Sequence, residues 1–151
     1  TLIGNAWVAV GEKFEKNRHP YGQSRSHLIG DQVLQGLARE MQASVRVSDH
    51  LARFGGEEFL LLLPATSLEQ GQALMERLRL EIQAYPWQMI APGIAATISI
   101  GIAELRPSDD EDSVLARADA ALYRAKQSGR NRVVSEDAKS DLSDREITRL
   151  S

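Results

Sequence analysis

An α/β fold, with helices packed on a central sheet, is predicted by three features of this chain. Strand-like and helix-like segments alternate along its length, a pattern that layer architectures of this class produce. Gly55-Gly56 separates two short apolar, β-prone segments and marks a tight hairpin. Residues 95–103 (AATISIGIA) are β-branched and alternating, with helical apolar spacing on either side. At 151 residues the chain suits one domain with a substantial core.

Residues 31–45 (DQVLQGLAREMQASV) put Val33, Leu34, Leu37, Met41 and Val45 at helical spacing. Asp31 is expected at the start of this helix, where a carboxylate suits the positive end of the dipole. His50 to Phe54 and Glu58 to Leu63 read as two strands, the second ended by Pro64. Residues 67–84 predict an amphipathic helix with Ser67 as N-cap and Leu68, Ala73, Leu74, Leu78 and Ile82 on its core face. Pro86 and Pro92 bracket an irregular piece ahead of the 95–103 strand. Asp112 to Gln127 predicts another helix, closed by Ser128-Gly129, since glycine suits the left-handed position past a helix end. Val133-Val134 begins a short last strand, and 135–151 is polar and expected to be a tail. The expected division is therefore one domain over 1–134 and a tail over 135–151.

Apolar content of 42% and charged content of 26% are ordinary for a soluble globular chain. A net charge of −3 argues against a surface that coats nucleic acid, yet leaves room for a phosphate pocket built from a few local cations. With no cysteine, a disulfide framework and a thiolate metal site are excluded. The apolar runs are too short to span a bilayer and no secretory segment opens the chain, so a cytoplasmic domain is expected.

The run Arg53-Phe54-Gly55-Gly56-Glu57-Glu58-Phe59 carries the most chemical information. Two glycines allow a sharp turn and a close approach of backbone to ligand. Two adjacent carboxylates at that bend form a hard-oxygen set of the kind that holds Mg²⁺ beside a phosphate. Alone, the run would also describe an exposed hairpin tip with two solvated carboxylates. It resembles the signature of the GGDEF domains, the bacterial diguanylate cyclases, in the variant with Glu at the third position. The resemblance runs from His27 to Val134 and implies a mixed, mostly antiparallel sheet flanked by helices, in a palm-like cyclase fold with the motif on a β-hairpin.

What the resemblance implies is a reaction joining two GTP molecules into cyclic di-GMP with loss of pyrophosphate, across a homodimer and with Mg²⁺ or Mn²⁺ as cofactor. Glu57 is implied as metal ligand and Glu58 as support for metal and 3′-hydroxyl, with Gly55 and Gly56 against the nucleotide. His27-Leu28-Ile29-Gly30-Asp31 resembles the segment "GHxxGD" of the family, implying Asp31 as the guanine acceptor and Leu34 in the same pocket. An Asp can accept from both N1–H and the 2-amino group, and adenine would leave that pair unmet. Read alone, Asp31 would be a helix cap.

Tyr123 to Arg132 resembles "YxAKxxGRN", implying Lys126 and Arg130 as the clamp for β- and γ-phosphates, a point charge and a planar fork. Read alone, Lys126 would merely complement the helix dipole. Arg46-Val47-Ser48-Asp49 resembles the "RxxD" product-inhibition site, with Arg77 as a further arginine and Arg79 close by as an alternative. Such domains serve as the output end of larger sensor or membrane proteins, which is the expected partner arrangement here.

Ahead of His27 the pattern departs from the family's "DxDxFKxxND" and is shorter, so 1–26 is a divergent or incomplete part. Two alignments are open. One sets Ala6 to Val10 as the first strand, with Phe14 and Tyr21-Gly22 in register. It places Val10 at the metal Asp, Glu12 at the second Asp, Glu15 at the Lys and Arg18 at the Asn. The other reads Thr1-Leu2-Ile3-Gly4 as a remnant of an opening "LTGLxNR", with 6–17 as a helix and the metal-bearing strand absent.

Overall fold

The computed structural model describes residues 4–15, 23–54 and 58–136. The elements are β1 (Ala6–Glu15), α1 (Gln23–Ser44), β2 (His50–Phe54), β3 (Glu58–Leu63), α2 (Leu68–Ala84), a short 3₁₀ turn (Trp87–Met89), β4 (Ala95–Glu104), α3 (Glu111–Gln127) and β5 (Val133–Glu136). The sheet order is β2-β3-β1-β4-β5, antiparallel throughout except for the parallel β4–β5 pair that α3 connects. The predicted mixed, mostly antiparallel sheet is the one found.

β1 occupies the middle of the sheet, paired with β3 on one edge and along its whole length with β4 on the other. This corrects the alternative in which 6–17 is a helix and the strand is missing: the apolar stretch Ala6–Gly11 lies between two partners, which satisfies both rows of its backbone groups, and Glu12–Glu15 continue beside β4 alone.

Alternation along the strands divides the core in two. Val8, Val10, Phe59, Leu61, Leu63, Ile98, Ile100 and Ile102 face α1 and α2, which contribute Ile29, Val33, Leu37, Met41, Met75, Leu78 and Ile82. Ala9 and Ala103 face α3, against Val114, Ala118 and Leu122. The α3 face is thin because the helix lies directly on β4. A Cβ at Gly101 would come within 2.2 Å of Ala118 O and Leu122 N, so only glycine permits this approach.

α1 begins at Gln23, eight residues before Asp31, so Asp31 lies in the helix interior and not at its start. The buried apolar stripe is already under way at Ile29, ahead of Asp31, and recurs at Val33, Leu37 and Met41. In α2 the Ser67 cap is present in reciprocal form: Ser67 Oγ accepts from Gln70 N–H at 3.2 Å and Gln70 Oε1 accepts from Ser67 N–H at 3.1 Å. Its buried stripe is Gly71, Met75, Leu78 and Ile82, with Leu68 and Leu74 packed against it and the expected Ala73 exposed. α3 starts from an equivalent box of Asp110 and Ser113. Ser135 and Glu136, expected in the tail, continue β5 beside Ile102 and Ala103. Residues 137–151 lie outside the described residues. No helix among the described residues is long and apolar enough to cross a membrane.

Candidate nucleotide site

β3 opens with Glu58, directly opposite Gly11 of β1, while the next pair is Phe59 and Val10. Cross-strand partners share a face. Glu58 and Gly11 therefore face α3, whereas Phe59 and Val10 are buried toward α1 and α2. From α3, Lys126 reaches down to this spot, with Nζ 3.5 Å from Glu58 Oε1. A Cβ on Gly11 would stand 2.7 Å from Lys126 Cε and 3.1 Å from Nζ.

Asp119, seven residues before Lys126 and on the same side of the helix, joins this group. Burial pushes its carboxyl above the usual carboxylate range, the negative charge of Glu58 pushes the same way, and Lys126 opposes both. Gly55, Gly56 and Glu57, the turn and its first carboxylate, lie outside the described residues.

The second expected cation, Arg130, follows the end of α3. Ser128 caps the helix, Gly129 at φ 123° takes the left-handed position as expected, and Arg130 N–H donates to Ala125 O at 2.9 Å. That is the helix-stop bond of a Schellman motif. Asp31 and Leu34 lie on α1, across the sheet from α3; Asp31 is exposed and Leu34 packs against the larger core.

The first-strand position expected to face a metal is changed by this register. Val10 is fully buried on the opposite side of the sheet, and Glu12 lies buried on that same side beside Ile98. Gly11, which does face Glu58, has no donor to offer. Among the described residues no group of three or more acids or histidines forms a metal cluster. Glu58, with Glu57 before it in sequence, supplies hard oxygens that suit one Mg²⁺. Directly opposite Glu58, β1 offers no side-chain carboxylate, because that position is Gly11 and Glu12 lies on the other side of the sheet. Arg18 and Tyr21-Gly22 lie outside the described residues.

The other expected site lies one strand length away, at the far end of β2 and β3. Asp49 Oδ2 accepts from Arg46 N–H at 2.7 Å, and the Arg46 guanidinium spans Asp49 Oδ1 at 3.2 Å, Pro64 O at 2.9 Å and Thr66 Oγ1 at 2.6 Å. The Asp49 side chain is fully buried while that of Arg46 is 52% exposed. Arg77 approaches Ser44 O at 3.5 Å, two residues from Arg46, and pairs with Glu81. Arg79, the alternative, bonds to Asn131 beyond α3 instead.

Residues 12–132 match the family described as diguanylate cyclase, GGDEF domain. The chain belongs to the GGDEF family. It is 49% identical over 107 residues to diguanylate cyclase DgcP of Pseudomonas aeruginosa, a match covering 71% of this chain and 16% of that protein. Among solved structures it is similar to diguanylate cyclase SiaD of Pseudomonas aeruginosa, crystallised with its activator SiaC (TM-score 0.78, 34% identity, 89% of this chain and 50% of that one). The GGDEF domain of DgcB from Caulobacter crescentus, crystallised with c-di-GMP, aligns at a TM-score of 0.73 with 30% identity over 87% of this chain and 78% of that one. The GGDEF chain thus spans a minor part of the length of its curated relatives.

Within the GGDEF fold, sequence reasoning assigned no role to Gly11, Asp119 or Asn131. Asp119 carried a countable signal, its spacing of seven from Lys126. Gly11 carried none until β1 was registered against β3.

Proposed function

We propose that the chain is the GTP-handling domain of a diguanylate cyclase, condensing two GTP into cyclic di-GMP and two pyrophosphates across a homodimer. The observation that carries this reading is the meeting of Glu58, Asp119 and Lys126 beside the glycine hairpin, with Arg130 on the following turn. Each 3′-hydroxyl loses its proton and its oxygen bonds to the α-phosphorus of the other GTP, while the bond from that phosphorus to the β-phosphate bridge breaks. Protein help in such transfers is chiefly positioning and charge neutralisation.

Lys126 and Arg130 hold the β- and γ-phosphates, where the leaving pyrophosphate develops charge. Asp31 takes the guanine edge, Leu34 lines its pocket, and Gly55-Gly56 let the hairpin lie against the nucleotide. Glu57 and Glu58 would hold Mg²⁺ or Mn²⁺, which supplies charge neutralisation at the phosphates. Asp119, on the same side of α3 as Lys126 and electrostatically coupled to it, helps orient the Lys126 ammonium. Arg46, with Arg77, takes cyclic di-GMP as feedback inhibitor, and Asp49 holds the Arg46 turn. The domain acts in the cytoplasm as the output of a larger protein that senses a signal.

Incubation with GTP and Mg²⁺ or Mn²⁺, followed by chromatography, tests this. Cyclic di-GMP is expected, and Glu58→Gln is expected to abolish it. No product at high protein concentration would exclude the cyclase reading. A second reading is favoured by Gly11, which leaves the metal site one carboxylate short: a binding module for GTP or cyclic di-GMP without turnover. Calorimetry with cyclic di-GMP on Arg46→Ala decides it, since unchanged affinity removes the sensor role.

A further inference from the structure

Gly129, Arg130 and Asn131 have φ of 123°, 64° and 48°, three consecutive residues in the left-handed region. The helix stop needs only the first of them. Arg130 carries a side chain that makes this conformation costly, whereas Asn131 tolerates it better, and such strain persists only where the surroundings over-determine it. The surroundings here are specific. Asn131 N–H donates to Ser99 Oγ at 3.0 Å, and Ser99 is buried on β4. Asn131 Oδ1 accepts from Arg79 Nη1 at 2.9 Å, and Asn131 Nδ2 donates to Gln83 Oε1 at 3.2 Å. Arg79 is itself fixed, donating to Gln83 Oε1 at 3.3 Å and to both carboxylate oxygens of Glu76. Its side chain is only 14% exposed.

We infer that Asn131, Arg79, Gln83 and Ser99 are positioning residues for Arg130: they lock the strained turn that sets where its guanidinium stands relative to Lys126. This rests on the reading of Lys126 and Arg130 as the triphosphate clamp. The two cations lie on opposite sides of the helix stop, so their spacing depends on a backbone that neither helix nor strand dictates. Asn131 reads this turn from α2 and β4 at once. A misplaced Arg130 would weaken binding of the outer phosphates and leave guanine recognition, on α1 across the sheet, untouched.

The test compares calorimetric affinity for GTP with that for GMP. Asn131→Gly keeps left-handed freedom but removes both side-chain ties. Arg79→Ala removes the anchor, and Ser99→Ala removes only the acceptor of the Asn131 N–H. The unmodified chain is expected to prefer GTP, and Arg130→Ala to lose that preference. Each of the three variants is expected to lower the GTP/GMP ratio by roughly threefold to tenfold, the worth of one or two hydrogen bonds, with GMP affinity unchanged. If the ratio is retained in Asn131→Gly and Ser99→Ala while Arg130→Ala loses it, the inference fails and the clamp stands. If the unmodified chain itself shows no preference, the clamp reading fails and takes the inference with it.

Discussion

Lys126 Nζ stands 3.5 Å from Glu58 Oε1, in space that Gly11 leaves open beneath it. An ammonium and a carboxylate that stand 68 residues apart in sequence are thus brought together by the packing of α3 on the sheet.

Because both partners are partly exposed, this pair is worth no more than about 1 kcal/mol to folding. Lys126→Met is expected to leave the urea midpoint nearly unchanged. GTP affinity should fall roughly tenfold to a hundredfold, since a hydrogen bond to a charged group is worth about 1.5–3 kcal/mol. A large loss of stability with GTP binding intact would make Lys126 a structural residue.

Gly11→Asp places a carboxylate on the face that carries Glu58. The atoms a new side chain would meet first are Lys126 Cε and Nζ, the far end of a flexible chain, so the fold should accept it. Divalent-ion affinity and the rate of cyclic di-GMP formation are expected to rise. Val10→Asp, by contrast, buries a charge in the larger core and should unfold the domain. Equal behaviour of the two variants would contradict the β1–β3 register.

Gly101 holds α3 against β4 with backbone in contact. Gly101→Ala forces the helix outward and is expected to cost about 1–3 kcal/mol, read as a lowered Tm. Since α3 carries Lys126, GTP affinity should fall with it; a stable variant with unchanged affinity would refute this coupling.

Arg46 satisfies the fully buried carboxylate of Asp49 and ties the start of β2 to Pro64 and Thr66. Arg46→Ala is expected to destabilise the domain by about 1–3 kcal/mol through the unmet buried acceptor, besides weakening cyclic di-GMP. Measured stability equal to that of the unmodified chain would mean the turn does not depend on it.

Asp109 receives the Arg106 N–H at 2.8 Å, the Ser113 hydroxyl at 2.7 Å and the Arg117 guanidinium. Burial by itself would raise its carboxyl, but these three donors and the Arg117 charge prevail and hold it below the ordinary 3.8. A depressed folded-state pKa contributes stability that is present above the unfolded value and lost as pH falls through the folded one. Urea unfolding at successive pH values from about 5 down to 2 should therefore show acid destabilisation, and Asp109→Asn should flatten it. An unchanged slope would show that other carboxylates govern the acid limb.

Local signals made most of the elements legible. The β2–β3 hairpin, the Ser67 box opening α2, the alternating β4 and the Gly129 stop all depend on residues within a few positions of one another. The start of α1 was hidden because Gly30 and Asp31 imitate a helix boundary, while the stripe that continues through them is recognised only by the core it meets.

Apart from β1 and the start of α1, the sequence by itself determined the elements, the family signature and the types of residue at the candidate site, because caps, periodicity and motif spacing are short-range. Only the tertiary structure decided which of them meet. Side chains alternate faces at every residue of a strand, so a shift of one position in β1 separates Val10 in the core from Gly11 beneath Lys126. That choice is made by pairing with β3 and β4, far away in sequence. The assignment of Arg77 to the Arg46 turn and of Arg79 to Asn131 is likewise made by the neighbours that α2 meets on its two sides.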